Sequence, residues 1–406
     1  MTPFPPPKFL DRRSPPKIGT LVALTGVSAL SMNLFLPSLP GMAEYFDTTP
    51  AVMSLSVGVY LLVNALLQLV IGPISDNLGR RRVILAGLAI YMLATLGCIW
   101  STSATMFLAF RMLQASVAVA MVLGRAVVRD TTPADQASAK IAYVSMGMSL
   151  IPMIGPAIGG YLEQNYGWHA NFWALFAAGL AVFVLALGDL GETARPSGLS
   201  LGQQFREIPF LLKSPRFWGY SMAATLSSGA FFAYLGGAPF VAKELFGLSP
   251  QELGLYFAAP GIGYFFGNYI AGRYSQRIGM NRMVLWGYIV ALSGMVLSIW
   301  LSLTGLQTPF SFFAVMVPVG IGNGMSIPNA VSGQLSVRPH LAGTASGLGG
   351  SMMLSGGAAL SALAGVLLVG ASSDAPLVFL ITATLAGGLI SILLVMRREA
   401  RLGAAL

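Results

Sequence analysis

The loop that decides the fold reads Gly72-Pro-Ile-Ser-Asp-Asn-Leu-Gly-Arg-Arg-Arg-Val-Ile84. It lies between two apolar runs, 52–71 and 83–100, and it carries one acid and three consecutive arginines. Spanning helices satisfy their own backbone hydrogen bonds in lipid, so charged residues collect in the connections between them. The pattern therefore predicts a tight loop at a membrane surface that joins two spanning helices.

The composition is that of a membrane protein. Charged residues make up 9% and hydrophobic residues 55% of the 406 residues, whereas soluble domains average about 25% and 45–50%. Apolar runs of about 20 residues, the length that crosses a ~30 Å hydrocarbon core, recur along the whole chain. Because these runs are continuous rather than alternating, they exclude a β-barrel. We expect an all-α polytopic membrane protein.

Twelve spanning helices are predicted, in two sets of six. They cover residues 18–39, 52–71, 83–100, 106–125, 141–162, 171–188, 218–241, 252–272, 283–303, 310–331, 342–369 and 376–396. The domains that follow are a disordered cytoplasmic tail, a first six-helix bundle, a cytoplasmic linker, a second six-helix bundle and a second cytoplasmic tail. Their predicted boundaries are 1–17, 18–188, 189–217, 218–396 and 397–406.

The net charge of +9 reports topology rather than a polyanionic partner. Apart from Arg111 and Lys243, the other 21 of the 23 Lys and Arg residues lie at the chain ends or in alternate loops. This is the positive-inside distribution. We therefore expect a protein of the cytoplasmic (inner) membrane with both termini in the cytoplasm and no nucleic acid partner. The single Cys98 supports neither a disulfide within the chain nor a thiolate metal site.

The loop has a second copy, which begins at Gly272, 200 residues after Gly72. At that offset two glycines, a serine and an arginine recur, while Gln276 replaces Asp76. The chain is therefore predicted to consist of two related halves, and the acid of the loop belongs to the first half alone.

The loop resembles the motif G-x-x-[AS]-D-x-x-G-R-[RK]-[RK], which joins the second and third helices of the major facilitator superfamily. The matching residues are Gly72, Ser75, Asp76, Gly79, Arg80, Arg81 and Arg82. The resemblance implies two six-helix bundles with a substrate site at their interface. It also implies a gate in which Asp76 pairs with arginines such as Arg129, beside Asp130, and holds the cytoplasmic side closed.

In the fifth span, Gly147 and the run Gly155-Pro156-x-x-Gly159-Gly160 resemble the antiporter motif of the same superfamily. Small residues at this spacing let two helices approach closely, and a proline inside the helix bends it. The resemblance implies an exporter that works by exchange. Generic small-residue packing is the alternative.

Arg111 is the single charged residue well inside a predicted span. A charge there costs at least ~2.5 kcal/mol on insertion scales, so it marks a candidate site. Arg111 and Gln114 resemble the fourth-helix motif R-x-x-Q-G, with Ala115 in place of the glycine. Either the arginine faces the central cavity and acts on substrate or protons, or it reaches back to the outer interface and does nothing more.

Polar residues on other spans are further candidates for the cavity. Tyr60, Asn64 and Gln68 follow one another at intervals of four residues, so they share one face of a helix. They line the transport pathway or bond a neighbouring helix. The candidates in the second half are Tyr264, Asn268 and Asn323.

The run Ser31-Met-Asn33-Leu-Phe-Leu-Pro-Ser-Leu-Pro40 resembles the first-helix segment T-D-M-Y-L-P-A-L-P of Bcr/CflA-type drug exporters. Asn33 stands where that family carries a membrane-embedded acid, and it cannot titrate. No other acid lies mid-span. The remaining candidates for proton coupling are Glu163, Asp76 and Asp130.

The resemblance implies a monomeric secondary exporter of small amphipathic drugs that works by alternating access. No phosphate-binding loop of the G-x-x-x-x-G-K-[ST] type is present, so we expect a proton gradient rather than ATP as the energy source. Neither a catalytic set, a cofactor nor a metal site is predicted, and the protein is not expected to be an enzyme. The alternatives are an uncoupled exporter or uniporter of one metabolite and, from another class, a non-transporting membrane receptor or scaffold.

Overall fold

A computed structural model describes residues 8–131, 151–193, 209, 211–338 and 342–403 of the chain. Nearly all of these residues are helical, and they include no strand. Two sets of helices follow one another along the chain, one before and one after residues 190–214. The all-α fold predicted from the sequence is confirmed.

The first half contains eight described helices. They are α1 (Ile18–Asn33), α2 (Leu39–Tyr45), α3 (Pro50–Leu78), α4 (Arg80–Ile99), α5 (Ala104–Gln114), α6 (Ala118–Thr131), α7 (Ile151–Tyr166) and α8 (Trp168–Asp189). Short 3₁₀ turns join α1 to α2 and α5 to α6, so each of these pairs forms one span.

The second half also contains eight helices. They are α9 (Pro215–Phe240), α10 (Pro250–Tyr256), α11 (Ala258–Ile278), α12 (Met280–Leu303), α13 (Pro309–Ala314), α14 (Met316–Ser336), α15 (Ala342–Leu367) and α16 (Ala375–Gly403). Here α10 with α11 and α13 with α14 form single broken spans. Nine of the described spans are long and apolar enough to cross a bilayer. With α7, α9 and the α10–α11 pair they make the twelve spans of two six-helix bundles.

Glycine makes the turn at both copies of the loop. Gly79 has φ +94° between α3 and α4, and Gly279 has φ +88° between α11 and α12. This region of φ is open to glycine but strained for residues with a Cβ atom. The repeat seen in the sequence therefore corresponds to one backbone turn that is used twice.

The two halves pack against each other through α3 with α15 and through α7 with α10 and α11. We call the end of the molecule that holds Glu44 the Glu44 end, and the opposite end the Arg80 end. One apolar cluster contains Leu36 and Met42 of the first half together with Phe240 and Leu253 of the second half. The halves are therefore joined by a shared core near the Glu44 end.

Residues 8–17, which the sequence predicts to be part of a disordered tail, lie against the end of α8 in the structure. The backbone amide of Leu10 donates to Asp189 Oδ1 at 2.7 Å, and that of Lys17 donates to Oδ2 at 3.1 Å. Asp189, predicted to open the linker, is the last residue of α8. Most of the predicted linker, 194–208, lies outside the described residues.

Candidate functional site

Arg111 is the centre of a polar network inside the first half. Its side chain has no exposed surface, although it belongs to a helix that spans the membrane. Its Nη2 donates to the Ser31 carbonyl at 2.8 Å, and its Nε donates to the Ser56 carbonyl at 3.3 Å. Its Nη1 donates to Gln114 Oε1 and, at 3.4 Å, to Ser31 Oγ. One guanidinium thus joins α1, α3 and α5.

Two aromatic rings enclose this guanidinium. Its carbon atom lies 4.2 Å from the ring centroid of Phe35 and 4.2 Å from that of Tyr60. A desolvated cation over an aromatic face gains about 2 kcal/mol, which offsets part of the cost of burial. Within the described part of the chain, no carboxylate pairs with Arg111. The guanidinium is satisfied inside the bundle rather than at the interface, and its action on substrate or protons stays a prediction.

Gln114 extends the network to a fourth helix. Its Nε2 donates to Thr95 Oγ1 at 2.8 Å, and Thr95 donates in turn to the Tyr91 carbonyl at 2.7 Å. Among the predicted cavity residues, the structure brings Tyr60, Arg111 and Gln114 into one cluster. This cluster lies in the interior of the first bundle.

Asn33 faces a different neighbour, the antiporter-like helix α7. The Cβ atom that an alanine would add at Gly155 would lie 3.6 Å from Asn33 Cβ. Asn33 is 3% exposed, and its Nδ2 donates to the Ala29 carbonyl at 2.7 Å. Its Oδ1 accepts no hydrogen bond from any described residue. A buried acceptor without a partner is costly, so this atom is a candidate contact for a substrate or water.

The other predicted cavity residues form short local bonds. Gln68 Nε2 donates to Asn64 Oδ1 at 3.2 Å, and Gln68 Oε1 lies 3.1 Å from the Cβ position of Gly350 on α15. In the second half, Asn268 donates to the Tyr264 carbonyl at 2.8 Å, and Asn323 accepts from Ser227 at 2.7 Å. These side chains are neutral.

At the Glu44 end, α7 and α10 form a seam in which two glycines allow the backbones to meet directly. A Cβ atom at Gly160 would collide with the Pro250 carbonyl, and one at Gly254 would collide with the Pro156 carbonyl. Each half thus supplies a glycine against which the backbone of the other half packs. The Gln251 amide also donates to Gln164 Oε1 across the seam at 3.3 Å. Of the predicted antiporter motif, Gly147 lies outside the described residues.

The seam between α3 and α15 is closed at the same end. Gly365 allows no Cβ atom because Ser54 lies against it, and the Cβ position of Gly58 is 3.2 Å from the Ala358 carbonyl. Farther towards the Arg80 end, Ser351 Oγ donates to the Ala65 carbonyl at 3.0 Å. This second seam therefore combines a close backbone approach with small and polar side chains.

Glu163 lies beside these seams, one residue beyond the predicted fifth span. It is half-buried, and its Oε1 is 2.7 Å from the Cβ position of Gly41. Burial raises the pKa of this carboxyl, while a hydrogen bond from Ser38 and the charge of Lys243 lower it by less. Its Oε2 has no hydrogen-bond partner among the described residues. Lys243 also pairs with Glu44, the one ion pair between the halves in the described part of the chain.

Contacts with two acidic side chains, Asp130 and Glu192, hold the loop of the first half in place. Arg80 is 6% exposed, and its Nε lies 3.1 Å from Asp130 Oδ2. The Arg80 amide donates to Glu192 Oε1 at 2.8 Å, and a Cβ atom at Gly79 would collide with Glu192. Arg80 also donates to Ser75. The position of Asp130 agrees with its predicted place in a charged cluster at this surface.

The next arginine of the loop caps a helix. Arg81 donates to the Leu187 and Leu190 carbonyls at 3.1 and 2.7 Å, so it satisfies free carbonyls at the end of α8. Arg82 is exposed. The predicted pairing of Asp76 with Arg129 lies outside what the structure describes, as do the surroundings of Gly72.

Comparison with known proteins identifies the chain. Residues 21–362 match the family model of the Major Facilitator Superfamily. The chain belongs to the Major Facilitator Superfamily. It is therefore a multi-pass membrane transporter of small molecules and not an enzyme.

Named relatives include resistance proteins of two bacteria. A chloramphenicol resistance protein of Pseudomonas aeruginosa is 31% identical over 323 residues, which cover 78% of this chain and 76% of the relative. Multidrug resistance protein D of Escherichia coli is 28% identical over 355 residues, which cover 86% and 88%. A D-xylose–proton symporter, 15% identical, aligns over 93% of this chain and 96% of its own with a TM-score of 0.74, which shows the fold alone.

Sequence reasoning missed two acids of this transporter. Asp189 has no exposed surface and fixes residues 10–20. Glu399 accepts from Tyr220 at 3.1 Å and from Asn281 at 2.5 Å, and it pairs with Arg216 at 2.6 Å. Both acids stand at the end of a span, where a charge is ordinary. Only the long-range contacts distinguish them, and the sequence holds no signal for these.

Proposed function

We propose that this transporter exports small amphipathic drugs across the cytoplasmic membrane by alternating access. The observation that carries the proposal is the reciprocal glycine seam between α7 and α10. Where Gly160 and Gly254 meet the opposite backbone, no side chain has to rearrange, so the two halves can part and rejoin there as rigid bodies. The resistance functions in the names of its relatives support a drug as the cargo.

We propose that the structure represents the state of the transport cycle in which the Glu44 end is closed. The positive-inside distribution of Lys and Arg supports an outer, periplasmic location for this end. Export then requires the seam to open after a drug has entered from the Arg80 end. We propose that the protein works as a monomer, because each of its two halves supplies one side of both seams.

We further propose that a proton gradient drives the cycle and that Glu163 takes up the proton. Asp130 is held by Arg80, whereas Glu163 lies against the seam with one free oxygen. Closure buries Glu163, and burial raises its pKa, so closure favours the protonated form. Acid on the Glu44 side is therefore expected to promote closure and to return the transporter to its drug-accepting state.

Transport in everted vesicles tests both parts of this proposal. A pump-deleted host that expresses the chain should tolerate higher concentrations of amphipathic drugs, and its vesicles should take up the same drugs. Collapse of the pH gradient should stop uptake. With Glu163→Gln, the rate should no longer depend on pH, whereas the exposed neighbour Glu244, changed to Gln, should leave that dependence in place.

An uncoupled exporter or uniporter of a single metabolite is the second candidate. The neutral Asn33, at the position of the family's acid, is the observation that favours it. The same vesicles separate the two candidates, because uptake by an uncoupled protein would continue after the pH gradient has collapsed. A receptor or scaffold would move no compound at all.

A further inference from the structure

Asp189 holds the segment 8–17 in place over the end of α8. Its carboxylate has no exposed surface. Its Oδ1 accepts from the Leu10 amide at 2.7 Å, and its Oδ2 accepts from the Lys17 amide at 3.1 Å and from Thr20 Oγ1 at 2.5 Å. A buried carboxylate is costly unless charged hydrogen bonds satisfy it. These three donors therefore form a built clamp.

Two glycines complete the frame on which the segment lies. A Cβ atom at Gly191 would collide with the Arg12 carbonyl, and one at Gly188 would lie 2.8 Å from Leu10 Cδ2. Leu10 itself has φ +59°, a left-handed conformation that is strained for a residue with a Cβ atom. Such a backbone persists only where its surroundings impose it. The segment is thus part of the folded protein.

The clamp leaves cationic and apolar side chains of the segment exposed. Lys8, Arg12, Arg13 and Lys17 are exposed, and Asp11 is the only acid among residues 8–17. Two apolar side chains, Phe9 and Leu10, are each 56% exposed between these cations. The Lys17 ammonium lies 5.4 Å from the centroid of the Phe9 ring. We call residues 8–17 the basic clasp.

The position of the basic clasp in the fold determines which molecules can contact it. It connects to the first residue of α1 and lies on the last residue of α8, so it stands at the level where two spans leave the hydrocarbon core. Apolar and aromatic side chains at that level insert at the boundary of headgroups and acyl chains, while neighbouring cations attract anionic headgroups. A soluble anion would meet the cations but would give Phe9 and Leu10 no contact.

We propose that the basic clasp is a docking surface for an anionic phospholipid of the leaflet at the Arg80 end. The phosphate binds among the exposed cations, and the acyl chains lie against Phe9 and Leu10. The surface is continuous with the loop, because Arg81 bonds the Leu187 and Leu190 carbonyls on either side of Asp189. A bound lipid would thus steady the segment that anchors the loop.

Native mass spectrometry of the purified full-length protein with phosphatidylglycerol or phosphatidylethanolamine tests this proposal. The triple variant Arg12→Gln, Arg13→Gln, Lys17→Gln keeps every backbone donor of the clamp. We expect it to bind phosphatidylglycerol about a hundredfold more weakly than the unaltered protein. The matched control changes three exposed arginines of the second half at the same end, namely Arg273, Arg277 and Arg282, to Gln.

The control should retain phosphatidylglycerol, and the unaltered protein should prefer it to phosphatidylethanolamine. Equal loss in both triple variants, or no preference between the lipids, would overturn the proposal. Displacement of the lipid by inorganic phosphate alone would assign the surface to a soluble anion instead.

A second variant separates a built surface from charge alone. Asp189→Asn keeps all the cations of the basic clasp but weakens the frame that positions them. We expect it to lose phosphatidylglycerol as the triple variant does. Full retention of the lipid by this variant would mean that the clamp plays no part. If it does not fold, the triple variant and its control still decide the matter.

Discussion

The two halves of the molecule share one backbone plan, but they stabilise it differently. Both copies of the loop turn at a glycine with positive φ. In the first half, Arg80 and Arg81 anchor the loop to Asp130, to Glu192 and to the end of α8. In the second half, the residue after the turn and its neighbour are Met280 and Asn281, and Asn281 bonds Glu399 on the last helix.

The interiors differ in the same way. A buried cation joins four helices in the first half, directly or through Gln114. The corresponding interior of the second half contains neutral bonds, such as the one from Ser227 to Asn323. A buried charge holds its partners strongly because leaving it unsatisfied costs far more than leaving a neutral group unsatisfied. The comparison teaches that a buried charge holds the interior of the first half together, whereas neutral hydrogen bonds do so in the described interior of the second half.

Loss of the buried cation of the first half should have the largest effect on stability and transport. Arg111→Ala removes the donors that α1, α3 and α5 share and leaves a cavity between two rings. We expect the free energy of unfolding to fall by more than about 3 kcal/mol and transport to be lost. The midpoint of thermal unfolding in detergent measures the first effect, and drug efflux measures the second.

Asn323→Ala is the matched change in the second half. It removes one neutral bond, so we expect a loss of only about 1–2 kcal/mol. A larger loss for Asn323→Ala than for Arg111→Ala would refute the contrast between the two interiors.

Substitutions in the two copies of the loop should also differ in their effect on stability, with the larger loss again in the first half. Arg80→Gln breaks a buried ion pair with Asp130, and we expect it to cost about 2 kcal/mol and to slow efflux severalfold. Arg282→Gln, at an exposed position of the second copy, should change stability by less than about 0.5 kcal/mol. Thermal unfolding of both variants checks this order, which equal shifts would contradict.

Replacement of Asn33 by an acid should increase the difference between the two halves, because it adds a second charged group to the interior of the first half. Asn33→Asp places a titratable group beside α7 in the half that already holds the cation. We expect efflux by this variant to depend more steeply on pH than efflux by the unaltered protein. Initial rates of uptake in everted vesicles between acid and neutral pH give the measurement. An unchanged pH profile would show that Asn33 is remote from the transport pathway.

The exposed ion pair between the halves should matter least. Lys243 and Glu44 have 39% and 71% of their side-chain surface exposed. Exposed pairs contribute at most about 1 kcal/mol and weaken further in salt. Glu44→Gln should therefore leave the unfolding midpoint nearly unchanged. A shift as large as that of Arg80→Gln would mean that this pair holds the halves together.

The class of fold could be read from the sequence because it follows from local patterns. Long apolar runs, the repeated loop and the alternation of basic connections each record a physical requirement of a membrane span. Gly79 and Gly279 could be matched by spacing alone, and the structure gives both the same turn. Arg111 could be singled out as a candidate because a charge inside a span is rare, and the structure buries its side chain completely.

The contacts of the site could not be read in this way. The two rings around Arg111 belong to Phe35 and Tyr60, which are far from it in sequence. The carbonyls that Gly160 and Gly254 approach likewise belong to distant segments of the chain. The ordered segment over Asp189 was expected to be disordered because its composition is rich in proline and basic residues. Its order depends on the buried carboxylate of Asp189, 172 residues beyond Lys17, and no local sequence pattern predicts that contact.

Cross-linking across the seam between α7 and α10 tests alternating access most directly. Gln164 and Gln251 are exposed and face each other there, and the one native cysteine, Cys98, is buried. A cleavable, short thiol cross-linker applied to Gln164→Cys with Gln251→Cys should stop efflux, and cleavage should restore it. The control pair Thr308→Cys with Ser311→Cys, at the N-cap and in the first turn of α13 in the second half, should stay active when cross-linked. Undiminished efflux with the seam cross-linked would contradict the account.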